Sequence, residues 1–149
     1  METKTTLHVS VLIQAPAETV WTAFTDPSHI TQWNQASPDW HCPKASNDIR
    51  PGGHFSWTMA AKDGSASFDF EGEYNEVDKP VLIRYTIADG RKVELKFRQE
   101  EGHTIVEEKF EAENIHSPEL QQQGWQSILN SFKEYTESLY LSTPQPLNL

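Results

Sequence analysis

Between residues 55 and 110 the sequence holds five runs in which apolar residues recur at every second position, joined by links too short for a helical crossover. The runs are Phe55-Trp57-Met59, Phe68-Phe70-Gly72-Tyr74, Ile83-Tyr85-Ile87, Val93-Leu95-Phe97 and Val106-Glu108-Phe110. A period of two gives each run one buried and one solvated face. Asp63-Gly64 and Asp89-Gly90 fall between successive runs and favour tight hairpins, while Lys79-Pro80 and Glu101-Gly102 separate the others. Strands in unbroken succession joined by tight turns build an antiparallel meander.

Such a sheet needs something to cover its apolar face, and residues 117–140 supply it. Trp125, Ile128, Leu129, Phe132, Tyr135 or Thr136, and Leu139 recur at spacings of three and four and so share one helix face, with glutamines, Asn130, Lys133, Glu134 and Glu137 on the other. Ser117-Pro118-Glu119 reads as the helix start: a serine cap, a proline at the first position and a carboxylate at the positive end. At 1.5 Å per residue the helix is roughly 33–36 Å long, enough to cross a small domain. Gly124 inside it marks close packing or room beside the helix.

Ahead of the meander, Leu7, Val9, Val11 and Ile13 alternate as a first strand, with Leu12 breaking the alternation. Val20, Trp21 and Phe24 have helical spacing, Asp26-Pro27 stops that helix, and Ile30 and Trp33 belong to a second short one. Residues 34–44 hold two prolines and no period and read as a loop carrying Trp40 and Cys42, followed by a short strand near Asn47 and Ile49. The expected architecture is α+β: a strongly bent antiparallel sheet around one long helix, with two short helices after the first strand. Residues 1–141 form one domain, and 142–149, with two prolines after the helix, form a loose tail.

A formal charge of −10, from 12 basic and 22 acidic residues, leaves no phosphate track for nucleic acid. No apolar run approaches the 18 residues of a membrane span, and the N-terminus has no hydrophobic signal core, so a cytoplasmic protein is expected. A single cysteine, Cys42, excludes an intrachain disulfide. The six histidines (His8, His29, His41, His54, His103, His116) are scattered, with no i,i+4 pair and no CxxC, so no metal and no cofactor are expected. Cys42 beside His41 reads as a structural thiol rather than a nucleophile, because sequence neighbours seldom face each other in an extended loop.

The alternation aims Phe55, Trp57, Met59, Phe68, Phe70, Tyr74, Tyr85, Phe97 and Phe110 at the helix. These rings either interlock as a dry core or line a concave apolar pocket that sheet and helix cannot close. Gly72, on the same parity, marks a bend or spare volume. Glu108 is the one carboxylate on the inward parity; a one-residue slip would instead put Glu107 inside. The candidate lining is Trp33, Trp40, Phe55, Trp57, Phe68, Phe70, Tyr85, Glu108, Trp125 and Phe132.

Four motifs occur together: VWxxFTDPxxIxxW from Val20 to Trp33, DIRPGGxF from Asp48 to Phe55, FxGxY from Phe70 to Tyr74, and GWxxIL from Gly124 to Leu129. Together, over about residues 7–139, the chain resembles the SRPBCC or START-like superfamily. Within it, the chain is similar to bacterial proteins related to the C-terminal domain of the activator of the ninety-kilodalton heat-shock-protein ATPase. The resemblance implies a helix-grip fold, six or seven strands gripping a long C-terminal helix, with a cavity for apolar small molecules. It implies core roles for Trp21 and Phe24, a place for Trp33 nearer the cavity entrance, and a structural role for the Arg50-Pro51-Gly52-Gly53 turn. The sequence lacks the separate N-terminal domain of the eukaryotic activators, so a heat-shock-protein partner is not carried over.

The fold hosts carriers, receptors, cyclases and co-chaperone domains, so it does not decide function. The expected role is binding a small hydrophobic or aromatic molecule (a lipid, a polyketide or a flavonoid-like compound) between sheet and helix. The alternative is a cyclase/aromatase-like or hydrolase-like enzyme with Glu108 or Tyr85 as acid or base. An enzyme needs two convergent titratable groups with displaced pKa, and the inward parity offers little beyond Glu108 and tyrosines, so binding is favoured and no catalytic residue is assigned. A third reading, a protein-partner module, needs an exposed apolar patch that the outer parity lacks. Leu12 and the acidic surface leave room for a homodimer.

Overall fold

The computed structural model describes residues 5–142. β1 (Thr6–Ile13) leads into α1 (Ala17–Thr25) and α2 (Pro27–Trp33). Six strands follow: β2 (Trp40–Asn47), β3 (His54–Ala61), β4 (Ser67–Asp78), β5 (Leu82–Ile87), β6 (Lys92–Glu100) and β7 (His103–Glu111). α3 (Pro118–Ser142) ends the described chain. All neighbours pair antiparallel, in the order β1-β7-β6-β5-β4-β3-β2. The curled seven-stranded sheet holds α3 in its concave side: the helix-grip α+β architecture. Of the expected tail, Ser142 belongs to α3 and the remainder lies outside the described residues.

Local chemistry accounts for the boundaries. Asp26 ends α1 and caps α2, its carboxylate accepting from Ser28 N at 2.9 Å, with Pro27 pre-set at the first helical position. Ser117 caps α3 through its hydroxyl, which accepts from Leu120 N at 3.1 Å. The expected loop is shorter than read, because β2 already begins at Trp40. Pro43 cannot donate to a ladder, and the strand accommodates it at the sheet edge, where the register with β3 slips between His41 and Lys44.

The inward parity holds for Phe55, Trp57, Met59, Tyr74, Tyr85, Phe97 and Phe110, all buried. α1 lies over β6, with Trp21 edge-on to Phe97 at 5.4 Å and Phe24 edge-on to the same ring at 5.9 Å. Gly72 makes neither spare volume nor a hole. Phe55, its partner across β3 and β4, fills the space, and a methyl on Gly72 would meet that ring at 2.7 Å.

The polar face of α3 is not simply solvated. β1 is an edge strand whose outward carbonyls face the helix. Gln122 donates to His8 O at 2.8 Å, Gln126 to Ser10 O at 3.1 Å and Lys133 to Leu12 O at 2.8 Å. Gln14 N donates in return to Glu137 at 2.8 Å. Carbonyls two residues apart on the strand meet a single stripe of the helix. One sheet edge is thereby covered.

Candidate functional site

Between α3 and the middle strands the sheet and helix stop short of contact and leave a cavity of about 360 Å³. Its walls come from every layer: Phe24 and Trp33 from the short helices, Trp57, Phe70, Tyr85 and Glu108 from the strands, Trp125, Ile128 and Leu129 from α3. The residues 112–117 before α3 roof one end. Gln121 pins them, its side-chain amide donating to Glu113 O at 3.1 Å and His116 O at 2.8 Å while its oxygen accepts from Glu113 N at 2.8 Å. Glu113 and His116 stand at this rim, as does Arg91, whose Nε donates to Asp89 at 2.8 Å.

The apolar walls are held by one another. Trp33 stacks on Phe24 at 5.3 Å, meets Phe132 edge-on at 4.9 Å, and donates its indole N–H to Ala23 O at 2.8 Å. Trp57 stacks on Phe55 at 4.5 Å and on Phe70 at 5.7 Å, and those two rings lie 5.9 Å from each other. Trp125 lies against Phe110 and turns its edge to Phe70 at 6.1 Å. Fixed rings give contact area at little entropic cost.

The polar groups are few. β7 pairs Glu108 with Val9 on one side and Leu95 on the other, which settles its register: Glu108 faces inward and Glu107 faces out, 3.3 Å from Arg98. Glu108 is 7% exposed, and burial alone pushes its carboxyl up to about 8. Tyr85, 2% exposed, is pushed well above the ordinary phenol value, mainly by burial and next by the nearness of Glu108. Neither group has a hydrogen-bond partner in the protein. Two further buried donors on lining residues, Asn34 Nδ2 and Trp57 Nε1, are also unpartnered.

Seven of the ten residues expected to line the cavity do so: Trp33, Trp57, Phe68, Phe70, Tyr85, Glu108 and Trp125. Phe68 does so from the mouth, 54% exposed at the start of β4. Trp33, implied to lie nearer the entrance, is buried in the wall. Three stand apart. Phe55 is spent filling the gap above Gly72, Phe132 is fully buried between Phe24 and Trp33, and Trp40 on edge strand β2 packs on Phe68 at 6.0 Å. Sequence reasoning missed Asn34, Arg91 and Gln121 as lining residues. Gln121 could have been found, one turn before Trp125 on the same face. Asn34, the residue after α2, carries no signal that separates it from an ordinary solvated cap.

Cys42 is buried, its Sγ–H donates to Lys44 O at 3.4 Å, and burial raises its pKa, which leaves it an inert thiol. Among the described residues no cluster of His, Cys, Asp and Glu is gathered for a metal ion, and no helix is long and apolar enough to cross a membrane.

A curled antiparallel sheet gripping a C-terminal helix around a ring-lined cavity defines a START-like helix-grip protein. More narrowly, the chain belongs to the family of Activator of Hsp90 ATPase homolog 1-like proteins, whose model matches residues 14–137. It is similar to an AHSA1-like protein of Aeromonas hydrophila, at 42% identity over 95% of this chain and 100% of that one, with a TM-score of 0.85. A protein of Cytophaga hutchinsonii is 50% identical over 93% of this chain and 96% of that one, with a TM-score of 0.76. A protein of Chromobacterium violaceum, 23% identical over 89% of this chain and 98% of that one, shares the fold at a TM-score of 0.80. No curated protein matches the chain.

Proposed function

We propose that this protein binds a small hydrophobic or aromatic molecule in the cavity between the sheet and α3. The observation that carries the reading is the coexistence of a ring-walled void with unpartnered polar groups on the same wall. A dry core leaves neither, because buried polar groups are costly unless satisfied. Rings already locked by stacking supply contact area, and a bound molecule supplies the missing hydrogen bonds. The family and the fold are consistent with ligand binding and name no ligand.

Titration with the neutral fluorophore N-phenyl-1-naphthylamine tests this. Saturable, one-site binding with quenching of tryptophan emission is expected, abolished by Ile128→Trp, which fills the void. A linear, non-saturating signal overturns the reading.

One observation favours a second reading. Glu108 and Tyr85 are two titratable groups with displaced pKa in one cavity, the mark of many active sites. Both are displaced toward the protonated form, so they would act as acids that polarise an oxygen. No buried lining side chain among the described residues is a base at neutral pH. Ligand recovered unchanged after prolonged incubation with stoichiometric protein overturns the enzymatic reading; its conversion, lost in Tyr85→Phe, supports it.

A further inference from the structure

Resting on the binding reading above, we infer that the cavity selects neutral ligands bearing an acceptor oxygen, a ring ketone or a related carbonyl compound, through hydrogen bonds donated by Tyr85 and Glu108. The argument is one of hydrogen-bond complementarity. Tyr85 projects from β5 and Glu108 from β7, with β6 between them, and both line the cavity without a protein partner. Neither oxygen is among the buried polar atoms sealed from the void, a set that holds Asn34 Nδ2, Trp57 Nε1 and Thr136 Oγ1. The phenol and the carboxyl are therefore unpartnered polar groups open to the interior of the cavity.

What they lack is an acceptor for their O–H groups. A phenol offers a donor, and a carboxyl that burial holds protonated offers another. The two sealed groups behind the wall, an amide N–H and an indole N–H, are donors as well. No protein acceptor meets any of the four. Unmet buried donors are tolerated less than under-satisfied carbonyl oxygens, so a cavity with four of them is complementary to acceptors. A hydrocarbon would leave the donors unsatisfied, and a site built to hydrogen-bond a ligand group rejects the analogue lacking it. An ammonium would bring further donors. A carboxylate would carry a full charge out of water into the apolar cavity, a cost that a neutral carbonyl avoids.

Three rigid molecules of one shape decide it: 9-fluorenone, fluorene and 9-aminofluorene, measured by equilibrium dialysis at pH 7. Fluorenone is expected to bind at least fivefold more tightly than fluorene, and the amine no more tightly than fluorene. The carbonyl stretch of bound fluorenone should move to lower frequency and move part of the way back in Tyr85→Phe. Equal binding of fluorenone and fluorene overturns the inference and leaves the cavity reading standing. Tightest binding by the amine overturns it too, since Glu108 would then act as a counter-charge. Saturable binding of none of the three overturns both. The comparison and the spectrum use the unmodified protein, so they hold even if the Tyr85 variant fails to fold.

Discussion

The indole of Trp125 lies flat on the ring of Phe110, centroids 4.0 Å apart and planes 7° from parallel. This pair joins α3 to β7 at the edge of the cavity, so Trp125 belongs to the core on one face and to the cavity wall on the other.

Trp125→Ala therefore removes one packed face rather than two. A fully buried tryptophan costs about 3–5 kcal/mol on truncation, and an aromatic pair about 0.5–1.5 kcal/mol beyond its area. Trp125 is only half-buried, and an expected loss of about 2 kcal/mol follows, measured by urea unfolding. The same variant should weaken binding of the fluorophore. A loss at the full core value with binding intact would place the indole outside the wall.

Glu108 sets a pH dependence with a definite sign. Its carboxyl stays protonated in the folded protein up to about pH 8, whereas in the unfolded chain it ionises near its ordinary value of 4.5. Between these values the folded state holds the extra proton, so stability falls as pH rises, by about 1 kcal/mol per unit, and levels off above 8. Tyr85, Arg91, Glu113 and His116 share the cavity with it, and burial alone accounts for its shift. Glu108→Gln should flatten this slope and be more stable than the parent at pH 8 by roughly 3–5 kcal/mol. Parallel curves for the two proteins between pH 5 and 8 would mean that Glu108 is ionised inside.

What the sequence disclosed follows from periodicity. A period of two flips every side chain on a one-residue slip, so the alternation through Val106 and Phe110 pointed to Glu108 but left Glu107 as the alternative until the pairing of β7 with β1 and β6 fixed the register. What it withheld depends on contacts between elements. Phe55 and Phe70 share a parity, yet Phe55 packs over Gly72 because the residue across the ladder has no side chain. Phe68 continues the same parity but reaches only the mouth. β2 was obscured by Pro43 and its irregular pairing. Gln122 and Gln126 read as a solvated face, since nothing in their spacing reveals the strand edge they meet.

That edge yields a prediction. Gln122, Gln126 and Lys133 donate to successive outward carbonyls of β1. Replacing all three by alanine removes hydrogen bonds worth about 0.5–1.5 kcal/mol each and uncovers an edge strand. The triple variant should lose about 2–4 kcal/mol in urea unfolding and show concentration-dependent association by light scattering. A monodisperse variant of unchanged stability would show that the helix shields nothing there.

Two glycines, Gly72 in β4 and Gly124 in α3, should respond to alanine with opposite signs. At Gly72 a new methyl would stand 2.5 Å from Thr86 O and 2.7 Å from two ring carbons of Phe55, with backbone on one side and a fully packed ring on the other. Neither can yield cheaply, and overpacking of this kind costs about 1–3 kcal/mol. At Gly124, inside α3, a methyl meets nothing within 4 Å. There the change acts through helix propensity and should stabilise by about 1 kcal/mol. Thermal unfolding of the two single variants checks both at once: Gly72→Ala should melt below the parent and Gly124→Ala above it. If Gly124→Ala also weakened the fluorophore while raising the melting point, the open space beside that glycine would be part of the ligand's path. If Gly72→Ala melted like the parent, Phe55 would be free to move, and the wall behind Trp57 would be softer than its stacking implies.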